Sequence, residues 1–345
     1  MAIAAQGYEC DSLLIHTHYQ PAVMLDLAMS RGVDSHALLR GTQLFLEDML
    51  TGQKKMSPAQ FLVMIQNCQK LLNANDTSFL FGQRMLPGYY GPASQLLRQA
   101  GNCRQALQHF CQYHALLSPL LTPRYFENET HCFIYWLDSC GATQQQPFLM
   151  EASMTAVAAM TQWLAGEKLP WRFNFDYAEP RYIEQYWVHL SQDVAFNQQV
   201  CLMSLPLKYA THAWPNSAPI GLKMAEMGSQ IQLTELGWNS SFIANFYDYL
   251  RENIQQPLNL ESVAETFGMS PASLKRKLLK HNTHFQAQLD MARKHVALYL
   301  YQIKGYNHQQ VADYLCFNDI NNYRRSFKRW TGFPPGLLLQ QAVCY

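Results

Sequence analysis

The sequence predicts two domains of different class: an α+β amino-terminal domain, mostly helical with a small sheet, joined to an all-α domain. The all-α part contains two helix-turn-helix patterns linked by a long helix. Three observations lead there. A chain of 345 residues exceeds what a single core usually serves. Its apolar periodicity is helical through the opening third, changes to two near residue 121, and turns helical again beyond residue 220. Finally, one short pattern beginning at Leu260 recurs from His308.

Taken in order, residues 21–29 place Ala22, Val23, Leu25 and Leu27 beside Asp26, and Asp34 reads as the cap of a short helix. Ser57 and Pro58 open a clearer helix, whose Phe61, Leu62, Ile65, Cys68, Leu71 and Leu72 form one buried stripe. Helices are expected again at 93–100 and 103–117. Residues 121–126 and 131–137 then flank the turn-like Glu127-Asn128-Glu129-Thr130, and the second run is rich in aromatic and β-branched residues, which predicts a hairpin. A helix over 147–164, a strand over 171–175, a helix over 181–189 and short strands near 194–196 and 200–203 complete the domain. Prolines between Pro206 and Pro219 suggest a closing loop. Helical spacing returns at 222–236 and, after Gly237-Trp238-Asn239-Ser240, at 242–254. The expected division is therefore 1–215 for the first domain, 216–255 for a helical linker and 256–345 for the second domain.

In each copy of the repeat a short helix carries a Val-Ala pair, Val263-Ala264 and Val311-Ala312, small enough for a second helix to cross closely. Gly268 suits a turn residue of positive φ. Ser270 and Pro271 cap and open the next helix, and Asp319 takes the capping place in the second copy. Leu274 and Leu278 correspond to Tyr323 and Phe327. The offset between copies is 48 residues at the Val-Ala pairs and 49 at these docking pairs, so the second turn is longer by one residue. Between the copies, 285–303 reads as one helix.

Each second helix carries a basic outer face: Lys275, Arg276, Lys277 and Lys280, then Arg324, Arg325, Lys328 and Arg329. Such a stripe suits insertion into a DNA major groove, where phosphates line the walls and guanine offers acceptors to Arg. The charge is distributed accordingly. From residue 240 onward 12 Lys or Arg stand against 7 Asp or Glu, a net of +5, while residues 1–239 hold 14 against 18, a net of −4. Nine cysteines without any CxxC pair point to reduced thiols in a cytoplasm. No stretch approaches the ~20 apolar residues that span a bilayer, so no membrane partner is expected.

From Pro257 to Pro335 these residues resemble the DNA-binding domain of the AraC/XylS family of bacterial transcription regulators. The likeness lies in the Val-Ala starts, Ser270-Pro271 with Arg276, Arg293 with Ala297, Phe317-Asn318-Asp319, and the run Phe327-Lys328-Arg329-Trp330-Thr331-Gly332. Upstream, Gly88-Tyr89-Tyr90-Gly91, Ala106-Leu107 and the segment from Trp171 to Leu207 look like the arabinose-binding type of amino-terminal domain. Three positions depart from the pattern. Cys316 replaces a usual Gly, which predicts a distorted turn or a negative φ; Asn282 replaces another Gly with a residue that tolerates positive φ; and Gly336-Leu337-Leu338-Leu339 replaces an aromatic-Arg ending.

The resemblance implies that Ser270, Ala272, Ser273, Lys275 and Arg276 of the first copy, and Ile320, Asn321, Arg324 and Arg325 of the second, face the DNA. Arg can bond guanine twice and Asn adenine twice, which favours Arg276, Arg324, Arg325 and Asn321 as readers. Lys280 and Lys328 are expected on phosphate. Arg293, mid-way along the connector, is expected to brace the subdomains by ion pairs.

An enzyme would have to use His16, His18, His109, His114 or Cys111, whose spacings place no ligand pair on one helical face and join no carboxylate pair. Neither catalysis nor a metal or cofactor is expected. The expected function is a sequence-specific transcription regulator controlled by a small, partly apolar effector. Tyr89, Tyr90, Tyr135 and Trp136 are its expected pocket wall. A homodimer and RNA polymerase are the further expected partners. The alternative is a constitutive DNA-binding protein whose first domain only dimerises.

Overall fold

A computed structural model describes residues 7–215 and 218–335. The chain divides into two compact units, Tyr8–Ser241 and a unit that begins at Phe242.

The amino-terminal unit opens with β1 (Ile15–His16), α1 (Gln20–Ser30), α2 (Ser35–Leu39), α3 (Leu46–Thr51), β2 (Lys55–Met56), α4 (Pro58–Leu72) and α5 (Thr77–Met85). Local signals set several boundaries. The Asp34 carboxylate accepts the Ala37 N–H at the head of α2. Ser57 and Gln60 form a reciprocal capping box at α4, with Pro58 in its first turn. Phe61, Met64, Ile65 and Cys68 are the buried stripe of that helix. Next come α6 (Pro92–Arg98), α7 (Cys103–Gln112) and α8 (His114–Leu117). The helix expected over 103–117 is thus interrupted at Tyr113, and the His114 ring bonds the Cys111 carbonyl oxygen at 2.9 Å.

β3 (Leu121–Glu127) and β4 (His131–Asp138) form the expected hairpin, registered Leu121 with Asp138 through Glu127 with Cys132. Asn128 fixes its turn by accepting the N–H groups of Thr130 at 2.9 Å and His131 at 2.7 Å. α9 (Gln146–Ala165), β5 (Arg172–Asn174), α10 (Ile183–His189), β6 (Val194–Ala195), β7 (Leu202–Pro206), α11 (Leu207–Ala210) and α12 (Pro219–Leu236) finish the unit. Five strands lie in the order β3-β4-β7-β5-β6, antiparallel except for the parallel β5–β6 pair. The third strand after the hairpin begins at Leu202 and runs to Pro206, later than its sequence pattern suggested.

α5 and α9 pack backbone to backbone. A Cβ at Gly82 would lie 2.4 Å from the Ala152 carbonyl oxygen, so that crossing admits only glycine. Glu151, the residue before Ala152 on α9, is buried yet satisfied: it accepts the hydroxyls of Ser78 at 2.5 Å, Tyr186 at 2.6 Å and Tyr182 at 3.0 Å. Burial raises its pKa against the opposing pull of those three bonds.

The second unit comprises α13 (Phe242–Glu252), α14 (Leu260–Thr266), α15 (Pro271–Lys280), α16 (Phe285–Gln302), α17 (His308–Tyr314) and α18 (Ile320–Thr331). α13 packs on α16, and α14 and α17 each pack on the helix that follows. The helical stretch expected to link the domains consists of two helices. α12 buries Ala225, Ser229, Leu233 and Leu236 within the first unit, α13 buries Phe242, Phe246 and Leu250 within the second, and residues 237–241 connect them.

Candidate nucleic-acid interface

The two helix pairs α14–α15 and α17–α18 share one backbone. Val263, Ala264, Val311 and Ala312 are fully buried, as are Leu274, Leu278, Tyr323 and Phe327 on the helices that cross them. In the first turn Phe267 N–H bonds the Val263 carbonyl, Gly268 N–H the Glu265 carbonyl and Met269 N–H the Ala264 carbonyl. In the second turn Leu315, Cys316 and Phe317 bond Val311, Asp313 and Ala312 in the same three relations. After that point the copies differ. Ser270 caps α15 immediately after Met269, accepting Ser273 N–H at 3.2 Å, whereas Asn318 intervenes before Asp319 caps α18 by accepting Asn322 N–H at 3.1 Å. This is the extra residue that the 48 and 49 offsets predict.

Gly268 and Cys316 occupy equivalent places with φ of +66° and +58°. The expectation of distortion or negative φ at Cys316 is therefore corrected: the cysteine adopts the left-handed backbone that glycine takes in the first copy. Its thiol bonds the Gln255 carbonyl oxygen at 3.0 Å. Asn282, also expected to stand in for glycine, has φ of +54°.

Ser270, Ala272, Lys275, Arg276 and Lys280 are exposed along α15 and Ser273 is half-buried. On α18 Asn321, Arg324, Arg325 and Lys328 are exposed and Ile320 is half-buried. Among the described residues Lys275, Arg276, Arg324, Arg325 and Lys328 have no carboxylate within ion-pair distance. Two other members of the basic runs are engaged at home. The Lys277 ammonium lies 4.7 Å from the centre of the Phe242 ring, and Arg329 pairs with Asp290 on α16 at 3.0 Å.

α16 also holds α17 and α18 through a hydrogen-bond chain. His308 Nδ1 lies 3.0 Å from the Tyr301 hydroxyl, which lies 2.7 Å from the Tyr323 hydroxyl. Burial pushes Tyr301 up to about 12 and raises Tyr323 further, while it lowers His308, so all three are neutral at physiological pH. Arg293 braces by a route the sequence did not suggest: it lies over the Phe317 ring, 5.5 Å from its centre, and the ion pair of this neighbourhood belongs to Arg329. Midway along α16, His295 bonds the Tyr247 hydroxyl at 2.8 Å, and burial pushes its pKa down to about 3.

The four aromatic residues expected to line a pocket have different environments. Tyr89 is 80% exposed and stacks on the Arg98 guanidinium. Tyr90 is buried, and its hydroxyl bonds the Met85 carbonyl oxygen at 2.5 Å. Tyr135 and Trp136 are neighbours on β4 and project to opposite faces of the sheet, Trp136 into the core. A surface groove of about 540 Å³ opens instead between Tyr113 and α12, where Lys223, Glu226, Met227 and Ile231 line it. No three His, Cys, Asp or Glu side chains gather as a metal site among the described residues. No helix there is long and apolar enough to cross a membrane.

An exposed basic face on two like helix pairs, ahead of which stands an α+β unit, defines the class of DNA-binding transcription regulators. Comparison with known proteins gives the family. The model of the arabinose-binding amino-terminal domain of AraC transcription regulators matches residues 32–213, and the chain belongs to that family. Over 313 residues it is 24% identical to the ornithine utilization regulator of Pseudomonas aeruginosa, covering 90% of this chain and 92% of that one. It is 22% identical to an uncharacterized HTH-type transcriptional regulator of Mycobacterium bovis over 93% of this chain and 95% of the other. Among solved structures, the transcriptional regulator CdpR of Pseudomonas aeruginosa aligns with 76% of this chain and 86% of its own at 17% identity, with a TM-score of 0.35.

The equivalent turn residues predict opposite responses. Gly268→Ala is expected to destabilise the second unit by about 1–2 kcal/mol, the cost of a Cβ in the left-handed region. Cys316→Gly removes the same cost and is expected to raise the melting temperature, since the thiol bond it forgoes is a weak one. Thermal denaturation of both variants checks this, and a lower melting temperature for Cys316→Gly would show the thiol contact to be the stronger term.

Proposed function

We propose that the chain is a sequence-specific regulator that reads duplex DNA with α15 and α18 as the recognition helices of two helix-turn-helix motifs, in a domain from about residue 256 onward. The observation that carries this reading is the pair of exposed basic faces on helices of matched backbone. Arg276, Arg324, Arg325 and Asn321 are the proposed base contacts, with Ser270, Ala272, Ser273, Lys275 and Ile320 beside them and Lys280 and Lys328 on phosphate. Footprinting on the protein's own promoter region is expected to show two major-groove segments about one helical turn apart. Arg276→Ala or Arg325→Ala should cost about 1–3 kcal/mol on the preferred site and flatten preference at one base position. Lys280→Ala should weaken all sequences alike and lower the salt slope by about one. Equal loss on specific and random DNA for Arg276→Ala would remove its base contact.

The homodimer reading is supported by α12. Ile220, Met224, Met227 and Ile231 are 84%, 63%, 53% and 60% exposed at spacings of four, three and four, the repeat of a coiled-coil seam that a second copy of the helix would match. Met227→Asp with Ile231→Asp is expected to halve the mass measured by sedimentation and leave the melting temperature within a few degrees. An unchanged mass would sink this seam.

Control by a small, partly apolar effector in the region 1–215 is supported by the arabinose-binding type of domain, and the name of the Pseudomonas relative makes ornithine a first ligand to try. Of the four aromatic candidates, Tyr89 is exposed and Tyr135 half-buried, so these two are the ones open to such contacts, while Tyr90 and Trp136 are buried. Recruitment of RNA polymerase is part of the same reading. Reciprocity is the decisive measurement: operator DNA must change effector affinity by the factor by which effector changes DNA affinity. Identical affinities with and without operator would leave the first domain as a dimerisation scaffold.

A further inference from the structure

We propose that Asp290 positions α18 through its ion pair with Arg329, so that Arg329 serves as an anchor to α16 and not as a phosphate contact. The inference rests on the reading of α18 as the second recognition helix. By sequence Arg329 is one of four cations on that helix, a turn beyond Arg325. In the structure its Nη2 lies 3.0 and 3.2 Å from the two carboxylate oxygens of Asp290. Asp290 also accepts Gln286 Nε2 at 2.7 Å from its own helix, which fixes the carboxylate before Arg329 reaches it.

This pair is one end of a clamp. Three residues along α16, Arg293 lies over Phe317, which sits in the turn ahead of α18 and whose ring lies 5.9 Å from that of Trp330. The Tyr301–Tyr323 hydroxyl pair pins the first half of α18 at 2.7 Å. With its preceding turn, its first half and its last turn each tied to α16, the helix cannot roll about its axis. Roll is the coordinate that recognition depends on, because successive residues of a helix point about 100° apart. Arg324 and Arg325 are adjacent, so a roll of some tens of degrees changes how squarely each of them faces the groove. The ion pair is 61% exposed at Arg329 and 20% at Asp290, an environment in which such pairs add little to stability. Its effect should therefore appear in selectivity and hardly at all in melting.

Asp290→Asn and Arg329→Gln are the tests, measured in the full chain on a site carrying base substitutions under each recognition helix. Both variants are expected to keep the melting temperature and lose about tenfold on the preferred site, with base preference flattened only at positions read by α18. The salt slope should not change. The exchanged pair Asp290→Arg with Arg329→Asp should restore that preference. If Arg329→Gln lowers the salt slope by about one and weakens random duplex equally, Arg329 is a phosphate contact and the proposal is wrong. Unaltered base preference in Asp290→Asn would overturn it as well. Arg325→Ala separates this from failure of the underlying reading: if it too leaves every base preference unchanged, α18 is not a recognition helix.

Discussion

The second unit of this molecule depends on one left-handed residue in each of two turns, Gly268 and Cys316. Both stand four residues after a buried alanine, where the chain must reverse while its N–H groups still bond to the helix just left. For glycine that backbone is free of cost; for cysteine it costs about 1–2 kcal/mol. A cysteine persists there because the second turn is determined from several sides. Phe317 N–H bonds Ala312, the Cys316 thiol bonds Gln255, and the Arg293 guanidinium covers the Phe317 ring. Each contact independently favours the same path for the chain, so several of them share the local penalty.

α16 converts two local motifs into one device. Its 18 residues extend about 27 Å at the usual rise, and α13, α17 and α18 pack against it. On the proposed reading that span is to be compared with one turn of B-form DNA, about 34 Å between successive major-groove sites on one face. Stiffness is what the arrangement requires, since a flexible spacer would let each motif bind alone and discard the gain from binding both. The buried polar pairs along α16, His295 with Tyr247 and Tyr301 with Tyr323, hold neighbouring helices at fixed places along it. With a net charge of +5 beyond residue 240, placed contacts must supply most of the affinity.

The second half was legible in the sequence because its boundaries are set by chemistry within a few residues: the caps Ser270 and Asp319, the prolines, and the Val-Ala pairs. The one-residue difference between turns followed from counting alone. The roles of Arg293 and Arg329 did not, because a cation on a helix face has no local signal that says whether a ring, a carboxylate or a phosphate will meet it. In the first half the hairpin and the long helices were legible, but α5 was not. Its Thr77, Ser78, Phe79 and Phe81 read as no clear helical stripe, and its place is decided by contact with α9 at Gly82. The same applies to Tyr89 and Tyr90. Sequence treats them as a pair, whereas the Met85 carbonyl draws one into the core and Arg98 holds the other outside. Side-chain direction in a loop is a tertiary property.

The break between α12 and α13 bears on how an effector could act at all. A continuous helix would transmit a rotation from one unit to the other. Here α12 ends in a left-handed Gly237, and α13 starts a separate packing unit at Phe242. Between them the Ser240 carbonyl accepts the Tyr8 N–H at 3.1 Å and Ser241 forms a β-bridge with Tyr8, so this stretch is anchored in the first unit. On the proposed reading an effector acts on populations, favouring one dimeric or docked state in proportion to its preference for that state. α12 is well placed for such a bias. It is packed into the first unit along Ala225, Ser229, Leu233 and Leu236, and Gln232 bonds both Tyr19 and the Tyr90 carbonyl, while its opposite side presents the apolar seam. A ligand that altered the packing behind α12 would shift that seam with it. On that reading the affinity of two chains for one another, and so the number of proposed recognition helices offered to DNA together, would change.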